Sequence, residues 1–306
     1  MISRRTALQG LGAAVASGLA TAAYGLGIEA PSTRITTYRV TPPGWPKGQK
    51  LTAAVIADLH VLEPWMGVAR LAGIVATTNA MAPDIILLLG DYGAGRQITR
   101  VGRKIEPKVW AAELARLKAP LGVHAVLGNH DWWDDNAAQR RKEGPTQARM
   151  ELEAVGIPVF ENKAVRLVHN GAAFWLAGLG DQWAFFPKNR QKRFGNGRGY
   201  IGVDDLPGTL ALVTDDAPVI LMAHEPDIFP HVPARVSLTL SGHTHGGQVS
   251  LFGYTPVVPS RYGSRFVYGH IVEDERHLIV SGGLGCSGMP IRVGAPPEIL
   301  RVELGG

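Results

Sequence analysis

Short apolar runs that stop abruptly at polar residues organise this chain. Leu51–Ala57 ends at Asp58, Ile85–Leu89 ends at Gly90-Asp91, and Gly122–Leu127 ends at Gly128-Asn129-His130-Asp131. Brief runs without alternation predict buried strands. Between the first two, Val68, Leu71, Ile74 and Val75 recur at helical spacing and predict a helix over Gly67–Asn79. Between the second and third, Pro107–Lys118 predicts another helix, with proline near its first turn. Strand, helix, strand, helix, strand implies right-handed crossovers and a parallel core. Thr146–Val155 predicts one more helix. Strands dominate the second half, at Val165–His169, Phe174–Leu179, Val219–Ala223, Ser237–Leu240, Phe266–Tyr268, Leu278–Ser281 and Ile299–Val302. Residues 31–50 carry four prolines and read as a linker with one edge strand, Ile35–Val40. The expected fold class is α/β: two mixed β-sheets packed face to face and flanked by helices, in four αββα layers.

A different pattern fills residues 1–30. Arg4-Arg5 precedes an uncharged, Ala/Gly/Leu-rich stretch from Thr6 to Ile28. This is the layout of a signal peptide. The run Ser3-Arg4-Arg5-Thr6-Ala7-Leu8 resembles a twin-arginine export signal, with Ala7 where Phe is usual. Ala20-Thr21-Ala22 offers an A-x-A cleavage site, and the alternative is an anchor that is never cut. The expected location is exported: periplasm, cell wall or membrane-associated. No boundary divides the remainder, so residues 51–306 read as one domain.

Composition narrows the classes. Of 306 residues, 45% are hydrophobic and 19% charged, which provides for a sizeable core and excludes a disordered chain. The net charge of +5 suits anionic partners such as phosphates, nucleic acid or lipid head groups, without choosing among them. The single cysteine, Cys286, excludes an intramolecular disulfide and any cysteine-rich zinc site, and reads as a small buried residue.

Candidate chemistry lies where apolar runs end. The clusters are Asp58-Leu59-His60, Gly90-Asp91, Gly128-Asn129-His130-Asp131, His224-Glu225 and Gly242-His243-Thr244-His245. In open α/β sheets, ligands bind beyond the carboxyl ends of the strands, so these loops converge on one cleft. Their oxygen and nitrogen donors, with no thiolate, suit Mn²⁺, Fe²⁺/³⁺ or Zn²⁺. They are too many for one ion that keeps an open position, and they fit two ions sharing a carboxylate.

In the order and spacing of these clusters from Asp58 to His245, the sequence resembles the calcineurin-like metallophosphoesterase family. The resemblance implies that Asp58, His60 and His245 hold one metal, that Asn129, His224 and His243 hold a second, and that Asp91 bridges them. It implies two divalent cofactors (Mn, Fe or Zn) and hydrolysis of phosphoric esters by a hydroxide held between the ions. It places Asn129 and His130 against the substrate phosphate, with His130 protonating the leaving oxygen.

Two departures shape the expectation. In protein phosphatases of the family, Gly-Asp is followed by an Asp and then a phosphate-clamping Arg. Ala94 and Gly95 stand at those positions here, and Arg96 is displaced by one. This argues against a Ser/Thr protein phosphatase and removes the usual acidic partner of His130. Gly246-Gly247-Gln248, Gly283-Leu284-Gly285, Pro290-Ile291-Arg292 and Pro296-Pro297-Glu298-Ile299 look like a bacterial signal-bearing branch. That branch is similar to enzymes hydrolysing UDP-2,3-diacylglucosamine, a precursor in lipid A biosynthesis. The expected function is a phosphodiesterase or pyrophosphatase acting on a small phosphodiester or nucleotide-lipid substrate. A nuclease of the same fold and a non-catalytic binding protein are the alternatives.

Trp132 and Trp133 are placed to wall the cleft, against a base or an acyl chain. Trp183, Phe185 and Phe186 precede Lys188, Arg190, Lys192, Arg193 and Arg198, which suits contact with a membrane surface or lipid phosphate. The plain alternative is a solvated loop. Nucleic acid is the weaker partner, and no feature identifies a protein partner.

Overall fold

The structure is a computed structural model, and it describes residues 4–95, 98–187 and 199–305. Two sheets form its centre. The first has five strands in the order β1 (Arg34–Val40), β13 (Glu298–Leu304), β2 (Leu51–Ile56), β4 (Ile85–Leu88), β6 (Val123–Ala125). The second has six, in the order β11 (Gly269–Glu273), β12 (Arg276–Val280), β10 (Leu238–Ser241), β9 (Val219–Met222), β8 (Ala172–Gly178), β7 (Lys163–His169). A two-stranded ribbon, β3 (Leu62–Glu63) with β5 (Arg103–Lys104), lies apart.

The apolar runs explain the layering. Strand side chains alternate between faces. In β2 and β4, Ala53, Val55, Ile85 and Leu87 meet Phe174, Leu176, Ile220, Met222 and Leu240 of the other sheet in one shared core. Their neighbours Ala54, Ile56, Ile86 and Leu88 face outward. There they meet α2 (Val68–Ala80), α3 (Pro107–Leu114) and α6 (Gln147–Ala154) through Leu71, Ile74, Trp110, Leu114 and Leu152. Both faces are covered, so the runs had to be apolar throughout. The mixed sheets and flanking helices follow the expected α/β architecture.

Register aligns the strand ends that matter. Ile56 pairs with Leu88, and Leu88 with Ala125, along parallel β2, β4 and β6. Leu240 pairs with Met222 along parallel β10 and β9. The loops carrying Asp58, Asp91, Asn129, His224 and His243 therefore leave their sheets at corresponding levels.

Some local expectations change. Phe266–Tyr268 is not a strand. Gly263–Phe266 forms a 3₁₀ turn that buries Phe266 beside Phe229, and the strand begins at Gly269. Three short helices lacked a periodic signal: α4 (Asn129–Trp133), α5 (Asn136–Arg141) and α7 (Leu206–Ala211). The last two are started by side-chain caps, Asp135 accepting from Ala137 and Ala138, and Asp205 from Gly208. At the amino end, α1 (Arg4–Tyr24) continues into a π-type turn over Gly25–Glu29. Arg4–Glu29 is long and apolar enough to cross a membrane, and 6% of its apolar window is buried.

Candidate metal centre

Each candidate ligand occupies the turn after a strand. Asp58 and His60 follow β2, Asp91 follows β4, Asn129 opens α4 after β6, His224 follows β9, and His243 and His245 follow β10. The loops are laced together. The amides of Asp58 and His60 donate to Gly90 O and Asp91 O at 3.0 Å, and the His243 amide donates to the Asp58 carboxylate at 3.0 Å. Five of these residues lie in the left-handed region: Asp58 (φ 53°), His60 (43°), Asp91 (57°), His243 (70°) and His245 (55°). Such backbones cost of order 1 kcal/mol or more each in non-glycine residues and cluster at functional sites.

The side chains converge in two groups. Asp58, His60 and His245 form one buried triad, and Asp91, His224 and His243 another, each with donor atoms within 4.8 Å of one another. In the first, His60 Nε2 lies 3.0 Å from His245 Nε2, and His245 Nε2 lies 3.6 Å from Asp58 Oδ1. In the second, His224 Nε2 lies 3.3 Å from His243 Nδ1 and 3.3 Å from Asn129 Oδ1. A tetrahedron of ligands about 2.1 Å from a cation has edges of about 3.4 Å, so these separations are those of a coordination shell. Asp91 Oδ2 joins the groups, 3.5 Å from His60 Nε2 and 3.3 Å from His224 Nε2. The donor set fits two divalent ions sharing Asp91.

Electrostatics favours cations here. Burial pushes the His60 and His243 imidazoles down to about 3 and about 4, keeping their lone pairs free near neutral pH. Burial also holds His245 well below its usual range. For Asp91 burial opposes ionisation, but His224, His130 and His60 outweigh it and hold the carboxyl well below the usual range. Burial, reinforced by Asp91, pushes Asp58 up to about 7 despite the pull of His224. Against the effect of burial, Asp91, with Glu225 and Asp58, holds His224 well above its usual range, so the carboxylates draw positive charge into the site.

His130 borders the cleft without entering either triad. Its amide donates to Asp91 Oδ1 at 2.8 Å, its ring lies edge-on to His60, and Nε2 is 3.4 Å from Ser287 Oγ. Its Nδ1 lies 3.9 Å from Asp134 Oδ2, one helical turn along α4. The acidic neighbour is thus Asp134 rather than a residue at position 94, where Ala94 is buried in a small apolar cluster with Cys286. Gly95 explains the lost Arg: a Cβ there would sit 2.3 Å from His130 Cε1, so the ring occupies the space a side chain would need. Arg96 lies outside the described residues.

The two tryptophans separate. Trp132 turns into the core against Phe185 and does not line the cleft, contrary to expectation, because on the short α4 it faces the packed side. Trp133 does line it. Its indole N–H donates to Trp183 O at 2.7 Å, and its ring stacks on Phe186 and Tyr200. Trp183 stacks on Tyr200 and meets His243 edge-on at 4.5 Å. These rings and the ligands enclose a cavity of about 400 Å³. The basic half of the 183–198 segment lies outside the described residues.

Asp131 and Arg292 are also contributors that went unrecognised in the sequence. Asp131 is buried and accepts from the amides of Asp91, Tyr92 and Gly128 at 2.9–3.1 Å, clamping two ligand loops. Its place in Gly-Asn-His-Asp was visible, but nothing local revealed a carboxylate turned back onto the chain. Arg292 is fully buried beneath the site. It donates to Gly282 O, Gly285 O and Ala295 O, and Nη2 lies 3.2 Å from His245 Nδ1. That contact leaves Nε2 of His245 facing His60.

The chain's similarities fit this geometry. A family model described as Calcineurin-like phosphoesterase matches residues 51–247, which contain every candidate ligand named above. The chain is similar to an uncharacterized metallophosphoesterase, YkuE, of Bacillus subtilis (strain 168), with 28% identity over 97% of this chain and 96% of that protein. It is similar to a transmembrane protein with metallophosphoesterase domain of Danio rerio, 28% identical over 92% of this chain and 60% of that protein. It is also similar to the phosphodiesterase YaeI of Escherichia coli (strain K12), 28% identical over 81% of this chain and 80% of that protein. With the match extending over more than half its length, the chain belongs to the calcineurin-like phosphoesterases and is a hydrolase of phosphoric ester bonds.

Proposed function

We propose that this chain is a two-metal phosphodiesterase or pyrophosphatase acting on a small phosphodiester or a nucleotide-lipid. The observation that carries the reading is Asp91 Oδ2, within 3.5 Å of a ring nitrogen in each triad and at the edge of an aromatic-walled cavity. When bound, two divalent ions such as Mn²⁺ would supply Lewis acidity toward the phosphoryl oxygens and an activated water. Asp58, His60 and His245 would hold one ion, Asn129, His224 and His243 the other, and Asp91 both.

The remaining steps belong to the chain's own groups. Asn129 and His130, adjacent on α4, orient the phosphoryl group. With Nδ1 turned toward Asp134, His130 Nε2 is the atom that delivers a proton to the leaving oxygen. The stacked Trp133, Tyr200 and Trp183 present flat apolar surface to the rest of the substrate. That surface and the apolar α1 support a nucleotide-lipid, of the kind hydrolysed by UDP-2,3-diacylglucosamine hydrolases in lipid A biosynthesis. The relative from E. coli is named a phosphodiesterase, which supports a diester over a monoester. Arg4-Arg5 at the start of α1 supports export by a twin-arginine route.

The test is a substrate screen of the full chain with Mn²⁺. The reading predicts faster hydrolysis of bis-p-nitrophenyl phosphate than of p-nitrophenyl phosphate, and of UDP-diacylglucosamine than of single-stranded DNA. Preference for DNA would make the protein a nuclease. Bound metal with no hydrolysis of any ester would make it a binding protein.

A further inference from the structure

We propose that the 249–257 loop and Met289 form a membrane-docking surface that seats the rim of the catalytic cleft on the lipid interface. The proposal rests on reading α1 as a membrane segment.

Leu251 and Tyr254 exchange backbone hydrogen bonds of 2.9 Å across a two-residue turn, Phe252-Gly253. Both turn residues have positive φ, 52° and 81°. A bulky aromatic is poorly suited to the first of these positions, where Asn, Asp or Gly is usual. Phe252 nevertheless occupies it and is fully exposed. Leu251, Tyr254 and Val257 beside it are exposed by 47%, 71% and 71%. Met289, 63% exposed, is tied to the start of this loop, its carbonyl accepting from Gln248 Nε2 at 2.9 Å. Among the described residues this is an exposed apolar surface.

Backbone continuity connects it to α1. Val249 bridges Val293, with Ser250 N donating to Val293 O at 2.7 Å. The same strip, residues 291–295, receives the end of the apolar helix. Arg292 N donates to Gly25 O at 3.2 Å, Ala295 N donates to the buried Glu29 carboxylate at 2.8 Å, and Gly25 lies so close that a Cβ would meet Arg292 O at 2.7 Å. A bilayer that takes up α1 therefore begins beside Phe252. Charge agrees, because neither Ile228–Val272 nor Arg276–Pro297 contains an Asp or Glu to be repelled by anionic lipid. The surface also adjoins the site: Ser287, Gly288 and Pro259, which flank Met289 and follow Val257, line the catalytic cavity. A substrate with its acyl chains in the bilayer would meet the cleft at its own depth.

The experiment labels full-length Phe252→Cys with the environment-sensitive fluorophore NBD, with Met150→Cys on α6, 50% exposed, as the comparison site. Wild type treated identically controls for the buried Cys286. Each is mixed with vesicles of phosphatidylethanolamine and phosphatidylglycerol and followed by flotation, emission shift and quenching by headgroup-proximal doxyl lipid. The expected result is flotation, with a blue shift and strong quenching at position 252 and neither at 150. Flotation without a shift at 252 would overturn the docking surface while leaving α1 as an anchor. Protein that does not float would overturn both. A shift at 252 that needs no lipid and grows with protein concentration would show a second copy covering the loop, and would also overturn the proposal.

Discussion

His130 touches the site without belonging to either triad, and that position sets a specific expectation. Its ring faces the cleft, with Ser287 near Nε2 and Asp134 near Nδ1. A general acid matters most when the leaving group is poor. His130→Ala should slow hydrolysis of alkyl esters by about 10²–10⁴-fold. Nitrophenyl esters, whose leaving group departs unaided, should lose much less. Bound metal should not change. Steady-state rates on the two ester classes, with metal analysis of the variant, check this. Equal losses on both would make His130 a phosphate binder, and loss of one metal equivalent would make it a ligand. Asp134, one turn along α4, was not identified by position: the family pattern placed an acid at Ala94, and only the short helix after Gly128 brings Asp134 round to the ring.

Elements rather than single residues hold the candidate ligands in place, and Arg292 shows how. It lies on the connection between β12 and β13, where it gathers three carbonyls from residues 282–295 beneath His245. Lysine cannot reproduce this planar fork. Arg292→Met should weaken metal binding by about 10–100-fold, the range seen when partners of metal ligands are removed. Arg292→Lys should restore little of it. Metal-binding isotherms of both variants decide, and an affinity unchanged in Arg292→Met would contradict the role. At this scale the sequence was informative wherever burial was complete. Apolar runs such as Ile85–Leu89 mark strands covered on both faces, and their polar terminations mark the ligand loops. Phe266–Tyr268 misled because Phe266 is buried from a 3₁₀ turn, where apolar content carries no period. The left-handed backbones at Asp58, His60 and His245 were also invisible, being imposed by packing of the loops on one another rather than by glycine.

The whole molecule joins a membrane-length apolar helix to a phosphoesterase body, and some of its relatives are named as transmembrane proteins. If the helix is read as a twin-arginine signal, replacing Arg4 and Arg5 together by Lys should leave the protein in the cytoplasm. Cell fractionation would show this, and unchanged delivery beyond the inner membrane would exclude that route. The body's chemistry rests on one structural claim, that Asp91 ties two cations into a single centre. The most direct test is stepwise metal addition to chelated protein, with bound metal and diester hydrolysis measured at each step. The account predicts two equivalents per chain, with activity returning as the second binds, and an Asp91→Asn variant that loses both metal and turnover. Full activity with no metal, or a single equivalent sufficing in wild type and in Asp91→Asn alike, would contradict it.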